Sequence, residues 1–186
     1  IIKSDIHLAL IHYPVYNKVG EVVTSSVTTL DVHDISRVAR TYDVNNFYVV
    51  TPLKTQRQLV GRLIEHWMTG YGAEYNPTRK EALLATRVMN NLTETVHDLT
   101  ERCGQKPLMV ATGAKQPSKS IDYHRLQKEI RRGEPVLLLF GTGWGLDQSV
   151  FKEVDYVLDP IKGIGEYNHL PVRAAIAIIL DRLLAR

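Results

Sequence analysis

"LLLFGTGWGL" occupies residues 137–146, and how it is read decides the fold class. Leu137 to Phe140 are four large apolar residues in a row, the mark of a strand buried on both faces. Three alternating glycines follow, with Trp144 among them. Glycine has no Cβ, so the backbone at Gly141, Gly143 and Gly145 can approach something closely. The spacing is G-x-G-x-G, and Leu146 stands where a dinucleotide fingerprint needs its third glycine. No G-K-[ST] follows, so the stretch is not a P-loop either.

Outward from this strand, further apolar runs of strand length lie at 6–12, 46–50, 82–88, 107–114 and 156–160. Between them, apolar residues recur at helical spacing over 31–42, 54–68, 92–103, 121–133 and 171–184. Asp31 is the expected N-cap of the first helix. Gly104 and Gly133 are the expected stops of the third and fourth, and Pro171 opens the last. Residues 13–30 read as a long polar and β-branched loop, and 70–81 as a loop from its Gly, Asn and Pro content. Strands alternating with helices predict an α/β domain, a mostly parallel six-stranded sheet flanked by helices.

The chain has 186 residues, one domain's worth over 1–186, with 44% hydrophobic residues and a net charge of +3. That mild basic bias permits a nucleic-acid partner without requiring one. A single cysteine, Cys103, excludes an intrachain disulfide and reads as core in a reduced, cytoplasmic protein. The seven histidines are scattered, so no metal is expected, and no apolar run approaches a membrane span. The chain begins at Ile1 without a methionine, as a processed piece or a domain of a longer polypeptide would.

In parallel α/β sheets, ligands bind beyond the carboxyl ends of the strands. Here the last three strands each run into a small-residue loop, at 111–115, 141–146 and 159–172. Three such loops on one edge predict a shared pocket of backbone amides, carbonyls and apolar side chains. A flat heterocycle suits that lining better than a bare phosphate.

Three segments, "LLLFGTGWGL", "YVLDPIKG" (156–163) and "YNHLPVRAAIAIILDRLL" (167–184), resemble the C-terminal signatures of the SPOUT class of S-adenosylmethionine-dependent RNA methyltransferases. "HYPVYNKVGEVVTSSVTTLDVHDISR" (12–37) and "VATGAK" (110–115) resemble the small SPOUT group found alone or fused to tRNA (guanine-N1)-methyltransferase. The resemblance spans nearly the whole chain. It implies a C-terminal trefoil knot, a homodimer, and S-adenosylmethionine as cofactor. It places that cofactor against Thr112, Gly113 and Ala114, and against the loop Phe140, Gly141, Thr142, Gly143, Trp144, Gly145 and Leu146. Leu158, Pro160, Ile161 and Gly163 supply a third wall, and Tyr167, Asn168, His169, Leu170 and Val172 close the site.

His169 is a candidate general base, because histidine is the side chain that exchanges protons near neutral pH, or a loop histidine that fixes backbone. Arg173 is a cation in the first turn of an apolar helix, where it opposes the helix dipole and wants a partner. That partner is either a substrate phosphate or an internal carboxylate. Trp144 either stacks on the ligand, plugs the pocket or belongs to the core. On the substrate side stand Tyr13, Asn17 and Lys18 in the first loop and Tyr75 and Arg79 in 70–81, aromatics and cations suited to RNA. Some SPOUT groups carry a catalytic arginine in an N-x-G-x-x-x-R motif. "NKVGEVVTS" (17–25) has the Asn and Gly but no arginine at that spacing. The expected function is methyl transfer to RNA, either tRNA or rRNA. The alternative is a non-catalytic module that binds cofactor or RNA for a fused or partner tRNA methyltransferase.

Overall fold

The structure is a computed structural model that describes residues 4–113 and 118–185. The chain opens with β1 (Ile6–Ile11), a short antiparallel hairpin of β2 (Val15–Tyr16) and β3 (Val22–Val23), and α1 (Thr29–Thr41). Then come β4 (Asn46–Val50), α2 (Lys54–Thr69), α3 (Tyr71–Tyr75), α4 (Pro77–Leu83) and β5 (Thr86–Met89). The second half runs α5 (Leu92–Cys103), β6 (Leu108–Ala111), β7 (Ser120–Ile121), α6 (Tyr123–Arg131) and β8 (Val136–Gly141). It ends with α7 (Gln148–Glu153), β9 (Tyr156–Leu158) and α8 (Val172–Leu184).

Every pairing in the main sheet is parallel, in the order β5-β4-β1-β8-β6-β9-β7. The sheet thus has seven strands rather than six. The added one, β7, is a two-residue edge strand at Ser120 and Ile121, where sequence reading begins a helix. Strands β1, β4 and β8 are apolar on both faces because both faces are covered. Leu8, Leu10, Phe47, Val49, Leu138 and Phe140 point to the side of Val32, Ile35, Leu126 and Ile176 from α1, α6 and α8. Ala9, Ile11, Tyr48, Val50, Leu137 and Leu139 point to the side of Leu99 and Val150 from α5 and α7. Each such fully buried side chain contributes about 1.5–3 kcal/mol of transfer free energy.

Three local expectations change. Residues 70–81 form helices α3 and α4 rather than a loop. Asn76 caps α4 by accepting from the Arg79 backbone N–H, and Pro77 occupies its first turn, where its missing N–H costs nothing. The strand expected at 82–88 therefore begins only at Thr86, because Ala82 and Leu83 finish α4. Finally, Thr28 caps α1 in place of Asp31, and its side chain accepts from the Asp31 N–H.

Helix α8 buries Ile176, Ile179, Leu180 and Leu183, an i, i+3, i+4, i+7 stripe. Ala174, Ala177 and Ile178 on its other side remain half-exposed.

Candidate cofactor crevice and nucleic-acid interface

Strands β8, β6 and β9 are consecutive in the sheet and parallel, so their carboxyl ends open on one edge at about 5 Å intervals. The loops after 111, 141 and 158 therefore leave side by side, as expected. Thr112 is pinned there, its N–H and its hydroxyl both donating to the Leu139 carbonyl at 3.0 and 2.9 Å. Ala114 lies outside the described residues.

The glycine stretch approaches the chain's own first loop. Trp144 N–H donates to Tyr16 O and Tyr16 N–H to Gly145 O, both at 2.9 Å, while Asp147 N–H reaches Pro14 O at 3.1 Å. Thr142 hydroxyl donates to Ile11 O at 3.0 Å and also meets the Ser25 hydroxyl. Gly143 has φ +58°, and a Cβ there would stand 2.9 Å from Tyr16 O. At Gly141 a Cβ would stand 2.8 Å from the Leu146 backbone nitrogen. These two glycines are needed for the fold of the loop itself, because a side chain at either would run into the chain's own backbone. Gly145, Gly163 and Gly165 differ: a Cβ at any of them meets nothing within 4 Å. A side chain at any of the three would point into open space at the carboxyl-end rim.

The remaining wall residues divide by burial. Phe140 and Leu158 are buried in the core beneath α8, with Ile161 and Val172 packed against it, so they form a floor. Trp144 is 58% exposed and is not core. Its ring lies 6.0 Å from that of His169, which in turn lies 5.4 Å from Tyr167, both edge-on. With exposed Leu170, these rings stand around the 159–171 segment as an uncovered aromatic rim. Pro160 and Asn168 are half-buried within it.

Arg173 meets two internal carboxylates. Its Nε lies 3.1 Å from Asp31 Oδ1 and its Nη1 donates to Asp34 Oδ2 at 2.7 Å, tying the start of α8 to α1. Asn17 is spent on its own turn: its Oδ1 accepts from Val19 and Glu21 N–H, and its Nδ2 donates to Glu21. Tyr13 and Lys18 are exposed beside the glycine loop's partner strand. Tyr75 and Arg79 belong to a different surface, built by α2, α3 and α4, where the Arg79 guanidinium lies 4.7 Å over the Trp67 ring.

Several groups escaped sequence reading. Asp147 caps α7, and the Ser149 hydroxyl and N–H together hold its carboxyl down to about 2. His12 is fully buried just after β1, with its Nδ1–H donating to Val50 O at 3.2 Å, and burial lowers its pKa. At the opposite end of the sheet, Asp5, His7 and Cys103 bring their ligand atoms within 4.8 Å of one another. A hydrogen-bond chain closes that trio. Arg87 Nε donates to Asn46 Oδ1, so Asn46 Nδ2 donates to His7 Nδ1, and the proton on Nε2 goes to Asp5 at 2.9 Å. The lone pair a metal would need is thereby occupied. Pairs 41 and 96 residues apart carry no local sequence signal.

A family model for the SAM-dependent RNA methyltransferases matches residues 5–185. The chain belongs to that family. Membership supplies the cofactor, S-adenosylmethionine, and the class of acceptor, RNA. The chain is 41% identical over 187 aligned positions to an uncharacterized protein of Aquifex aeolicus (strain VF5), covering 100% of this chain and 91% of that one. It is also 41% identical to a tRNA (guanine-N(1)-)-methyltransferase of Oleidesulfovibrio alaskensis (strain G20) over 97% of this chain, but it spans only 42% of that protein. In fold, the methyltransferase domain resembles the SpoU methyltransferase AviRb from Streptomyces viridochromogenes, solved in complex with AdoMet. The TM-score is 0.62 at 14% identity, over 99% of this chain and 58% of that one.

Proposed function

We propose that this methyltransferase transfers a methyl group to tRNA as a homodimer with a C-terminal trefoil knot. It would act in the cytoplasm, as a single SPOUT domain, alone or as part of a longer tRNA methyltransferase. The observation that carries this reading is the open rim: three adjacent parallel strand ends, glycines at 145, 163 and 165 whose Cβ positions face open space, and exposed rings at 144, 167 and 169. The half-exposed apolar side of α8 is the surface a second copy would cover.

S-adenosylmethionine, when bound, supplies an electrophilic methyl group. The protein's contribution is to hold, orient and dry the reacting pair. Thr112, Gly163 and Asn168 would offer backbone and polar contacts to the nucleoside, and Gly145 would leave it room. Trp144, Tyr167 and Leu170 cover it, and Phe140, Leu158, Ile161 and Val172 form its floor. His169, exposed beside Trp144 and Tyr167, would take the proton from the acceptor, a reading its exposure supports. Arg173 positions the start of α8, and hence His169, through Asp31 and Asp34.

A second reading has its own observation. Residues 17–25 carry no arginine, Asn17 is spent on its own turn, and Arg173 is engaged by two carboxylates. A module that binds cofactor or RNA for a partner enzyme would look the same. Calorimetry with S-adenosylmethionine and transfer of labelled methyl to total tRNA and rRNA decide between them. Binding with transfer to tRNA supports the first reading, and binding without transfer the second. In an active chain, Arg173→Met is expected to lower kcat at least tenfold with little change in cofactor affinity. An unchanged kcat would remove the positioning role.

A further inference from the structure

Helices α1 and α4 flank a half-open cleft of about 350 Å³ whose lining includes Arg37, Arg40, Thr41, Asn76, Arg79 and Glu81. Arg40 is neutralised there by Glu81 and Asp43. Arg37 and Arg79 form no ion pair among the described residues. Arg79 is held flat on Trp67 at 4.7 Å, which leaves the guanidinium edge free and already oriented. His33, one turn before Arg37, packs edge-on to the same Trp67 and keeps a buried Nδ1 without a partner. Burial first, and then the Arg79 charge, hold its pKa down, so it adds a neutral acceptor and no competing carboxylate. Immediately before Asn76, the rings of Tyr71 and Tyr75 stack 6.0 Å apart at 24°, each about three-quarters exposed.

Two unpaired cations in a cleft with an exposed aromatic pair beside it fit one class of occupant: phosphate linked to a flat base. We propose that the α1–α4 cleft docks an unpaired stretch of the RNA substrate. Arg37 and Arg79 would hold a phosphodiester, and Tyr71 and Tyr75 would stack bases. The proposal rests on the RNA-methylation reading. Helix α1 starts at Thr29, after the carboxyl end of β1, and rises 1.5 Å per residue, so Arg37 lies about 12 Å along it from its first residue. A chain of phosphodiester-linked nucleotides can reach from this cleft to the crevice.

The test is fluorescence anisotropy of the whole chain with a labelled unstructured oligoribonucleotide across a salt series. The variants are Arg37→Gln, Arg79→Gln and Tyr75→Ala, with S-adenosylmethionine titration as a control. Arg37 is exposed, so its loss leaves the fold intact even if Arg79→Gln disturbs Trp67. Each arginine variant should reduce the log–log salt slope by about 0.7, and Tyr75→Ala should raise Kd at least about fivefold, with cofactor affinity unchanged. Wild-type binding with no change in slope or Kd in any variant would overturn the cleft while leaving RNA methylation standing. Equal affinity for a duplex would overturn the assignment to unpaired RNA. Poly-glutamate bound as tightly as RNA would assign the cleft to acidic protein instead. A wild-type chain that binds neither the oligonucleotide nor tRNA would sink both readings.

Discussion

Tyr16 contributes its carbonyl to Trp144, its N–H to Gly145 and its hydroxyl to the backbone N–H of Gln148, so one residue organises the whole glycine turn. The Gly143 φ of +58° and the 2.9 Å approach to Tyr16 leave no room for a side chain. Gly143→Ala should therefore cost about 1–3 kcal/mol, read as a lower Tm with or without cofactor. Gly163→Ala meets open space and should leave Tm unchanged. Any loss of S-adenosylmethionine affinity in that variant reads out the ligand alone. The contrast also shows what the letters conceal. Gly143 and Gly163 are the same residue type in similar loops, and only their neighbours in space separate a glycine the fold requires from one that meets open space.

Helix α7 sits directly after the glycine turn and is held at its start by Asp147. The folded-state pKa of that carboxyl, about 2, lies below the ordinary value near 3.9. Its contribution is thus complete above pH 4 and is lost as pH falls from there toward 2. Amide NMR signals of Gln148–Glu153 should shift over that window, and Asp147→Asn, which keeps a capping oxygen, should abolish the acid transition there. This helix went unread because six residues are too few to show a period. The helices α3 and α4 were hidden differently. Gly70, Gly72, Asn76 and Pro77 are breaker residues in sequence, yet here they are packing and capping residues. A Cβ on Gly72 would lie 2.8 Å from the Trp67 ring, and Asn76 with Pro77 starts a helix rather than ending one. By contrast β1, β4 and β8 were legible, because burial on both faces forces a continuous apolar run. The three strand-end loops followed from them. The partners of Arg173 were open to two readings, since Asp31 and Asp34 come from the far end of the chain.

Two buried histidines make the domain as a whole sensitive to mild acid. Burial lowers the pKa of His7 despite Asp5 beside it, and burial lowers that of His12 despite its bond to Val50 and the charge of Asp31. A lowered folded pKa means the unfolded chain binds the proton more tightly, so stability falls as pH drops below about 6.5. Urea midpoints should decline from pH 7 to pH 5, and His12→Gln should flatten part of that slope. The sheet has a further consequence, for synthesis. β1 is made first and lies between β4 and β8, so one of its two edges waits until residues 136–141 have left the ribosome. Until then the open edge of a largely apolar strand is offered to any passing chain, and the nascent protein is at its most aggregation-prone. Pausing translation before residue 136 should therefore trap insoluble or chaperone-bound chains, whereas release after residue 141 should not.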